Sequence, residues 1–306
     1  MSKKNFITLK DFSKHQLLDL VNLAQEIKSY PQDFSSFLSG RHVGLLFQKP
    51  SLRTKTSFYL GAQQLGAGAI YYDPEEIRLG QREEIRDVSR TLSQYLDIAV
   101  LRTFFHKDIL EFVRFSSIPV VNGLTDSSHP SQIIADLLTL KELKGNIEEI
   151  NVAYIGDMNN VCSSLMNAFS ILGGNLRIAA PRQCFLDQEI ISQMEAKFSE
   201  SGGSLVVSSS PEEAAEGADV LYTDVWASMG KEKEIKQREK IFKKFQINDT
   251  IVKKAKSDNI VMHCLPAHRN QEISDSVFEG DNSVVFLQAA NRLHAAKAIL
   301  VFIWDK

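Results

Sequence analysis

The chain has 306 residues, 43% of them hydrophobic and 24% charged, with a net charge of -3, which is the composition of a globular protein long enough for two domains of ordinary size. The slight acidity, with no basic stripe interleaved with aromatics, gives no electrostatic basis for nucleic-acid binding, and no apolar run approaches the roughly 20 residues of a membrane span. The opening residues MSKKNFITLKDFSKHQ turn polar after two lysines, unlike a secretory signal, and Cys162, Cys184 and Cys264 are odd in number and far apart, so the expectation is a cytoplasmic protein with neither a disulfide framework nor a zinc site.

Residues 11–29 carry Leu17, Leu18, Leu20, Val21, Leu23, Ala24 and Ile27 behind a cap at Ser13, which predicts a first helix. Strand 42–47, helix 52–65, strand 69–72, helix 83–95, strand 97–103, helix 106–115 and strand 118–121 follow, an alternation that predicts a parallel sheet covered on both faces. A helix opening at Pro130 and bearing Ile133, Ile134, Leu137, Leu138 and Leu140 ends this first α/β unit. The alternation then restarts with strand 151–156, helix 160–172, strand 175–179, helix 186–200, strand 204–208, a short helix 211–217 and strand 219–225. A polar segment 229–246, a short helix near 249–256 and strands 259–264 and 283–286 complete the second unit. The last stretch, AANRLHAAKAILVFIW, has almost no breakers and reads as a buried helix. The expected fold is α/β, two doubly wound parallel-sheet domains bridged by two helices: 1–145, with the terminal helix 288–306 packing back on it, and 146–287.

Between the first strand and its helix lies FQKPSLRTKTSF (47–58). Ser51, Thr54 and the first free N–H groups of the helix, with Arg53 beside them, can converge on one anionic group. The same residues also fit an ordinary serine cap on an amphipathic helix. Neither a Walker loop nor a G-x-G-x-x-G fingerprint is present, since LGAGAI has only the G-x-G piece and lies after the helix, so ATP and NAD are poorly supported.

In open α/β sheets ligands lie beyond the carboxyl ends of the strands. At those ends the first domain offers Ser51, Arg53, Thr54, Arg102 and Thr103, and its last helix opens with His129 and Gln132 on one face, a set suited to a phosphate and a polarised carbonyl. The second domain offers Asp157, Asn159 and Asn160 in GDMNN, Asp224 and Ser228 to Gly230 in TDVWASMG, and His263 to Pro266 in HCLP. A carboxylate with amides suits a ligand carrying an ammonium and a carboxylate. Cys264 as a nucleophile activated by His263 or His268 is disfavoured, because adjacent residues of a strand point to opposite faces.

FQKPSLRTKTSF, LRTFFH, DSSHPSQIIADLLTL, YIGDMNN, DVWASMG, HCLPAHR and ANRLHAAKAIL, in that order over nearly the whole chain, resemble the aspartate/ornithine carbamoyltransferases. The resemblance implies a carbamoyl phosphate-binding domain followed by an amino acid-binding domain, a homotrimer with sites at subunit interfaces, no cofactor or metal, and a place in arginine biosynthesis. Carried over motif by motif, Ser51, Leu52, Arg53, Thr54, Arg78, Arg102, His129, Gln132, Cys264, Leu265 and Arg292 bind carbamoyl phosphate. Asn160, Asp224, Ser228 and Met229 bind L-ornithine, and Arg53, Arg102, His129, Cys264 and Arg292 are catalytic. The implied reaction gives citrulline and phosphate.

The chain departs from the family pattern in three places. Leu52 stands for the usual Thr of S-T-R-T, and a leucine there occurs in carbamoyltransferases acting on N-acylated ornithines. Arg78 stands where ornithine enzymes commonly place a Gln that reaches a neighbouring subunit's phosphate, and Leu287, Gln288 and Ala290 replace the usual D-E-A-E pattern. A carbamoyltransferase for N-acylated ornithine or putrescine, and a non-catalytic ligand-binding relative, are therefore the other readings.

Overall fold

A computed structural model of the protein describes residues 4–226 and 235–305. The chain divides into two compact units, the first ending at Leu138 and taking up again at Ala290, the second spanning Thr139–Ala289.

The first unit opens with α1 (Lys14–Ser29), where the Ser13 hydroxyl accepts from the Gln16 N–H and the Gln16 side chain accepts from the Ser13 N–H, a reciprocal cap that satisfies two otherwise orphaned donors. Then come β1 (His42–Phe47), α2 (Arg53–Gln64), β2 (Gly68–Tyr72), α3 (Pro74–Ile77), α4 (Ile85–Leu92), β3 (Ile98–Arg102), α5 (His106–Phe115), β4 (Val120–Leu124) and α6 (Pro130–Lys144). The four strands are parallel in the order β2-β1-β3-β4. All of β3 and five of the six residues of β1 are buried, which explains why both read as unbroken apolar runs instead of alternating ones. The order reverses direction between β1 and β3, so their carboxyl ends, where Phe47 and Arg102 are register partners, form the crevice in which an open α/β sheet holds its ligand.

The second unit contains β5 (Asn151–Ile155), α7 (Asn160–Leu172), β6 (Asn175–Ala179), α8 (Gln188–Ser201), β7 (Ser204–Ser208), α9 (Pro211–Ala215), β8 (Val220–Thr223), α10 (Ile235–Phe242), α11 (Asp249–Val252), β9 (Ile260–His263) and α12 (Asp275–Phe278). Its five parallel strands run in the order β7-β6-β5-β8-β9, with the reversal between β5 and β8. Ile155, Leu221, Val261, Trp226, Phe242 and Phe245 belong to one buried cluster, and Trp226 stacks on Phe242 with centroids 5.8 Å apart.

The last helix, α13 (Val285–Trp304), corrects one expectation. Residues 283–286 are not a strand: Ser283 makes only an isolated bridge to Val261, and Val285 already begins the helix. A run as short as Val284, Val285 and Phe286 has no period that separates strand from buried helix. The unit boundaries fall inside α6 and α13, so these two helices are the connections between the units. Within the first unit α13 lies close against α2, where a Cβ on Gly61 would stand 3.3 Å from Lys297 Cγ, and Phe302 stacks on Phe12.

Candidate active site

The strand-to-helix turn after β1 bears on the cap reading of Ser51. The residue before the first helical turn of α2 is Leu52, and no side chain caps the helix. Ser51 is thus not the serine cap. Leu52 itself is 76% exposed, so the position that departs from the family pattern contributes backbone and not a packed side chain.

Around this turn the first unit gathers cations. Arg102 is the last residue of β3, and its Nη1 lies 3.4 Å from Thr54 Oγ1. From α13, Arg292 donates through Nη2 to Thr54 Oγ1 at 2.8 Å and through Nη1 to Gln132 Oε1 at 2.6 Å. Thr54, Arg102, His129, Gln132 and Arg292 are all buried. Burial, followed by the like charges of Arg292 and Arg53, lowers the Arg102 pKa to about 10. Burial first, and then the charges of Arg292, Arg102 and Arg53, hold His129 well below the ordinary histidine range. Arg102 Nε is buried without a hydrogen-bond partner. A buried donor left unpaired among mutually repelling guanidiniums is stabilised by an anion that supplies both charge and acceptors.

The cluster has a support that the strand exits did not reveal. Gln48 continues the ladder by donating its N–H to the Arg102 carbonyl, while its side chain accepts from the Phe104 N–H and donates to the Leu79 carbonyl, each at 2.8–2.9 Å. Lys49 is buried beside it with its ammonium 4.7 Å from the Phe104 ring centroid, and burial followed by Arg102 lowers its pKa. Arg78 lies apart from these contacts: it ends α3 at φ 29°, and its guanidinium pairs with Glu75 at 2.5 Å on the exposed surface.

A neutral His129 carries a consequence for stability. Because its folded pKa lies below the unfolded value near 6.5, the unfolded chain binds a proton at this residue that the folded chain refuses. Stability should therefore fall as pH drops below about 6.5, by up to about 1.4 kcal/mol per pH unit from His129. His106, also lowered by burial, adds to the same slope. His129→Asn should flatten its own share, as read from urea unfolding at a series of pH values.

The second unit builds its own cluster at the ends of β5, β8 and β9. Gly156 leaves β5 at φ 150°, where a Cβ would also stand 3.3 Å from Thr223 Oγ1, so the turn into GDMNN requires glycine. Thr223 ties the strand ends together by donating to the Ile155 carbonyl at 2.6 Å. Asn159 caps α7 through Oδ1, which accepts from the Val161 and Cys162 N–H groups, and turns Nδ2 to Asp224 Oδ2 at 2.7 Å. Asp224 Oδ1 accepts from the Val225 N–H at 2.8 Å and from Cys264 Sγ at 2.9 Å. Asn160 is half-buried at the start of α7. Arg238 of α10 joins this cluster by an ion pair with Asp157 at 2.5 Å and a bond from Nε to the Trp226 carbonyl. Ser228 and Met229, which the resemblance assigns to ornithine, lie outside the described residues.

His263 serves the HCLP turn and not the thiol. Its Nδ1 accepts from the Leu265 N–H at 2.9 Å, which places the ring proton on Nε2, 3.0 Å from the fully buried Glu272 carboxylate. Glu272 also accepts from the His268 N–H, and the Gln288 side chain accepts from the His263 N–H at 2.9 Å. Leu265 is thereby held at φ 58° before a cis proline. Asp224, His263 and Cys264 place candidate metal ligand atoms within 4.8 Å of one another. Both nitrogens of His263 are already engaged, and Cys264 Sγ donates to Asp224, so metal binding would break the bonds that shape the turn. The donor set fits an organic cation better than a metal ion.

Residues 4–142 match the carbamoyl-P binding domain, and residues 148–303 the Asp/Orn binding domain, of aspartate/ornithine carbamoyltransferases. The chain belongs to the aspartate/ornithine carbamoyltransferase family. An ornithine carbamoyltransferase from Anoxybacillus flavithermus is 43% identical, over 97% of this chain and 96% of the relative. One from Thermococcus kodakarensis is 43% identical over 99% and 97%. The structure of ornithine carbamoyltransferase from Pyrococcus furiosus aligns with a TM-score of 0.93 at 42% identity, covering 98% of this chain and 96% of that one. An anabolic ornithine carbamoyltransferase from Campylobacter jejuni gives a TM-score of 0.93 at 36% identity, with 99% of each chain covered.

Proposed function

We propose that the protein transfers the carbamoyl group of carbamoyl phosphate to the δ-amine of L-ornithine, giving L-citrulline and phosphate. The observation that carries the reading is the buried cluster of Arg102 and Arg292 on Thr54, with Arg53 close enough to depress both Arg102 and His129. Such a cluster is costly unless a multiply charged anion binds there. Phosphate is taken by Ser51, the Leu52 backbone, Arg53 and Thr54, and the carbamoyl group by Arg102, His129, Gln132 and Arg292. The resemblance adds Cys264 and Leu265 to the carbamoyl phosphate ligands. Asp224 and Asn160, with Ser228 and Met229 from the same pattern, take the amino and carboxylate groups of ornithine.

The neutral δ-nitrogen attacks the carbonyl carbon, the new C–N bond forms, and the C–O bond to phosphate breaks. The proton lost by nitrogen leaves on the phosphate. Arginines already in place stabilise the oxyanion and the leaving group without reorganisation, and fixing both substrates supplies the remaining advantage. The function of the relatives supports a place in arginine biosynthesis, and the composition supports a cytoplasmic location. We read the assembly as a homotrimer, with Arg78 directed to a neighbouring copy's phosphate.

The test is citrulline or carbamoyl-amine formation by the full chain, with L-ornithine, N-acetylornithine and putrescine in parallel. Ornithine should be the preferred acceptor. Turnover of another amine without ornithine would overturn the substrate assignment, and phosphate binding without turnover of any amine would favour a non-catalytic relative.

A further inference from the structure

Asp136 is fully buried one helical turn beyond Gln132 on α6, and it is the only carboxylate buried in the first unit among the described residues. Its Oδ1 accepts from Gln132 Nε2 at 2.9 Å, while Gln132 Oε1 accepts from Arg292 Nη1 at 2.6 Å. The amide cannot be reversed, because the Arg292 guanidinium only donates and must meet the amide oxygen. The amide oxygen is therefore presented on the side of the cations. A carbonyl oxygen has two acceptor positions, and Arg292 occupies one.

The remaining position has a chemical meaning in this cluster. Arg53, Arg102 and Arg292 offer donors, which suit phosphate and carbonyl oxygens but cannot recognise an amino group. A carbamoyl group differs from an acetyl group in having N–H donors, and Gln132 Oε1 is an acceptor held among the arginines. We propose that Asp136 is a positioning residue which, by clamping the Gln132 amide against Arg292, makes the site prefer carbamoyl phosphate over acyl phosphates that lack an amino group. The inference rests on the reading of the first unit as the carbamoyl phosphate site. A carboxylate that merely offset the arginine charge would act on every anion alike and would not set this preference.

The experiment measures thermal shifts of the full-length protein with inorganic phosphate, acetyl phosphate and carbamoyl phosphate, for the parent, Asp136→Asn and Asp136→Leu. The asparagine oxygen can still accept from Gln132 Nε2, so D136N should keep the parent's preference within about threefold. D136L leaves the Gln132 amide N–H buried and unpaired, freeing the side chain to turn away, and the preference for carbamoyl over acetyl phosphate should fall about tenfold. Affinity for inorganic phosphate should stay within about threefold in both variants.

A folded D136L with the parent's preference would overturn the proposal, as would loss of carbamoyl phosphate and inorganic phosphate to the same degree. If D136L does not fold, Asp136→Ser, whose hydroxyl is too short to reach Gln132, takes its place with the same two outcomes. A parent protein that binds none of the three anions defeats the carbamoyl phosphate reading itself, a result separate from any difference among the variants.

Discussion

Arg102→Leu should produce a protein that melts at a higher temperature than the parent in the absence of ligand, yet turns over at least about a thousandfold more slowly. The two effects come from one cause. Arg102 is 5% exposed, its Nε has no hydrogen-bond partner, and its pKa is lowered to about 10 by burial, Arg292 and Arg53. Keeping it charged in the folded protein costs on the order of 3 kcal/mol at neutral pH. Its bond to Thr54 is long, at 3.4 Å, and Thr54 retains the 2.8 Å bond from Arg292, so leucine loses little structure. What it removes is the guanidinium at the end of β3 to which the proposed mechanism assigns the charge developing on the carbonyl oxygen.

Adding phosphate should then reverse the order of melting temperatures, because the parent gains more from the anion than the variant does. Calorimetry with and without phosphate, alongside initial rates, checks all three parts. A variant that melts below the parent without ligand, or that retains turnover, would remove the arginine cluster from the proposed chemistry.

The parts of the fold that were legible in the sequence are those in which one physical signal dominates. β1 and α7 have the predicted bounds, because β1 is an unbroken apolar run between polar ends and α7 lies between an asparagine cap and a glycine stop at positive φ. The turn at Ser51 allows two readings in sequence because a serine before a helix serves equally as a cap or as an anion ligand, and the place of Leu52 before the first helical turn argues only against the cap. The start of α13 was misplaced because Val284, Val285 and Phe286 favour a strand locally, while the helix is stabilised by burial of residues far away in sequence.

The candidate residues at strand exits can be placed from sequence because topology alone puts them at the carboxyl ends of the strands. Gln48, Asn159 and Asp136 are supports, and their roles depend on what their side chains meet. Asp136 did leave a signal: an acidic residue four positions after Gln132 inside the apolar stripe Ile133, Ile134, Leu137 and Leu138 must be buried with a partner. GDMNN shows Asn159 beside Asn160, but its contact with Asp224, 65 residues away in sequence, joins the ends of two strands.

Asp224→Asn should raise the KM for ornithine about a hundredfold while leaving the affinity for phosphate within about threefold. All three groups around the Asp224 carboxylate are donors: Asn159 Nδ2, the Val225 N–H and the Cys264 thiol. An asparagine must turn its NH2 toward one of these sides. Facing Asn159 it opposes an amide that cannot rotate without giving up the Val161 and Cys162 caps of α7. Facing Val225 it opposes a backbone N–H, and only the thiol can swing to accept. The mismatch costs roughly 1–3 kcal/mol of local order, and the negative charge that attracts an ammonium is lost as well.

Cys264→Ser, whose hydroxyl can make the same bond to Asp224, should leave the ornithine KM closer to the parent value than Asp224→Asn does. The pair of variants separates charge from geometry: if the serine variant weakens ornithine as severely as the asparagine variant, the thiol contact and not the carboxylate charge governs the amine side. If Asp224→Asn weakens phosphate and ornithine together, the fold around β8 has collapsed, and the assignment of Asp224 to the amine loses its support.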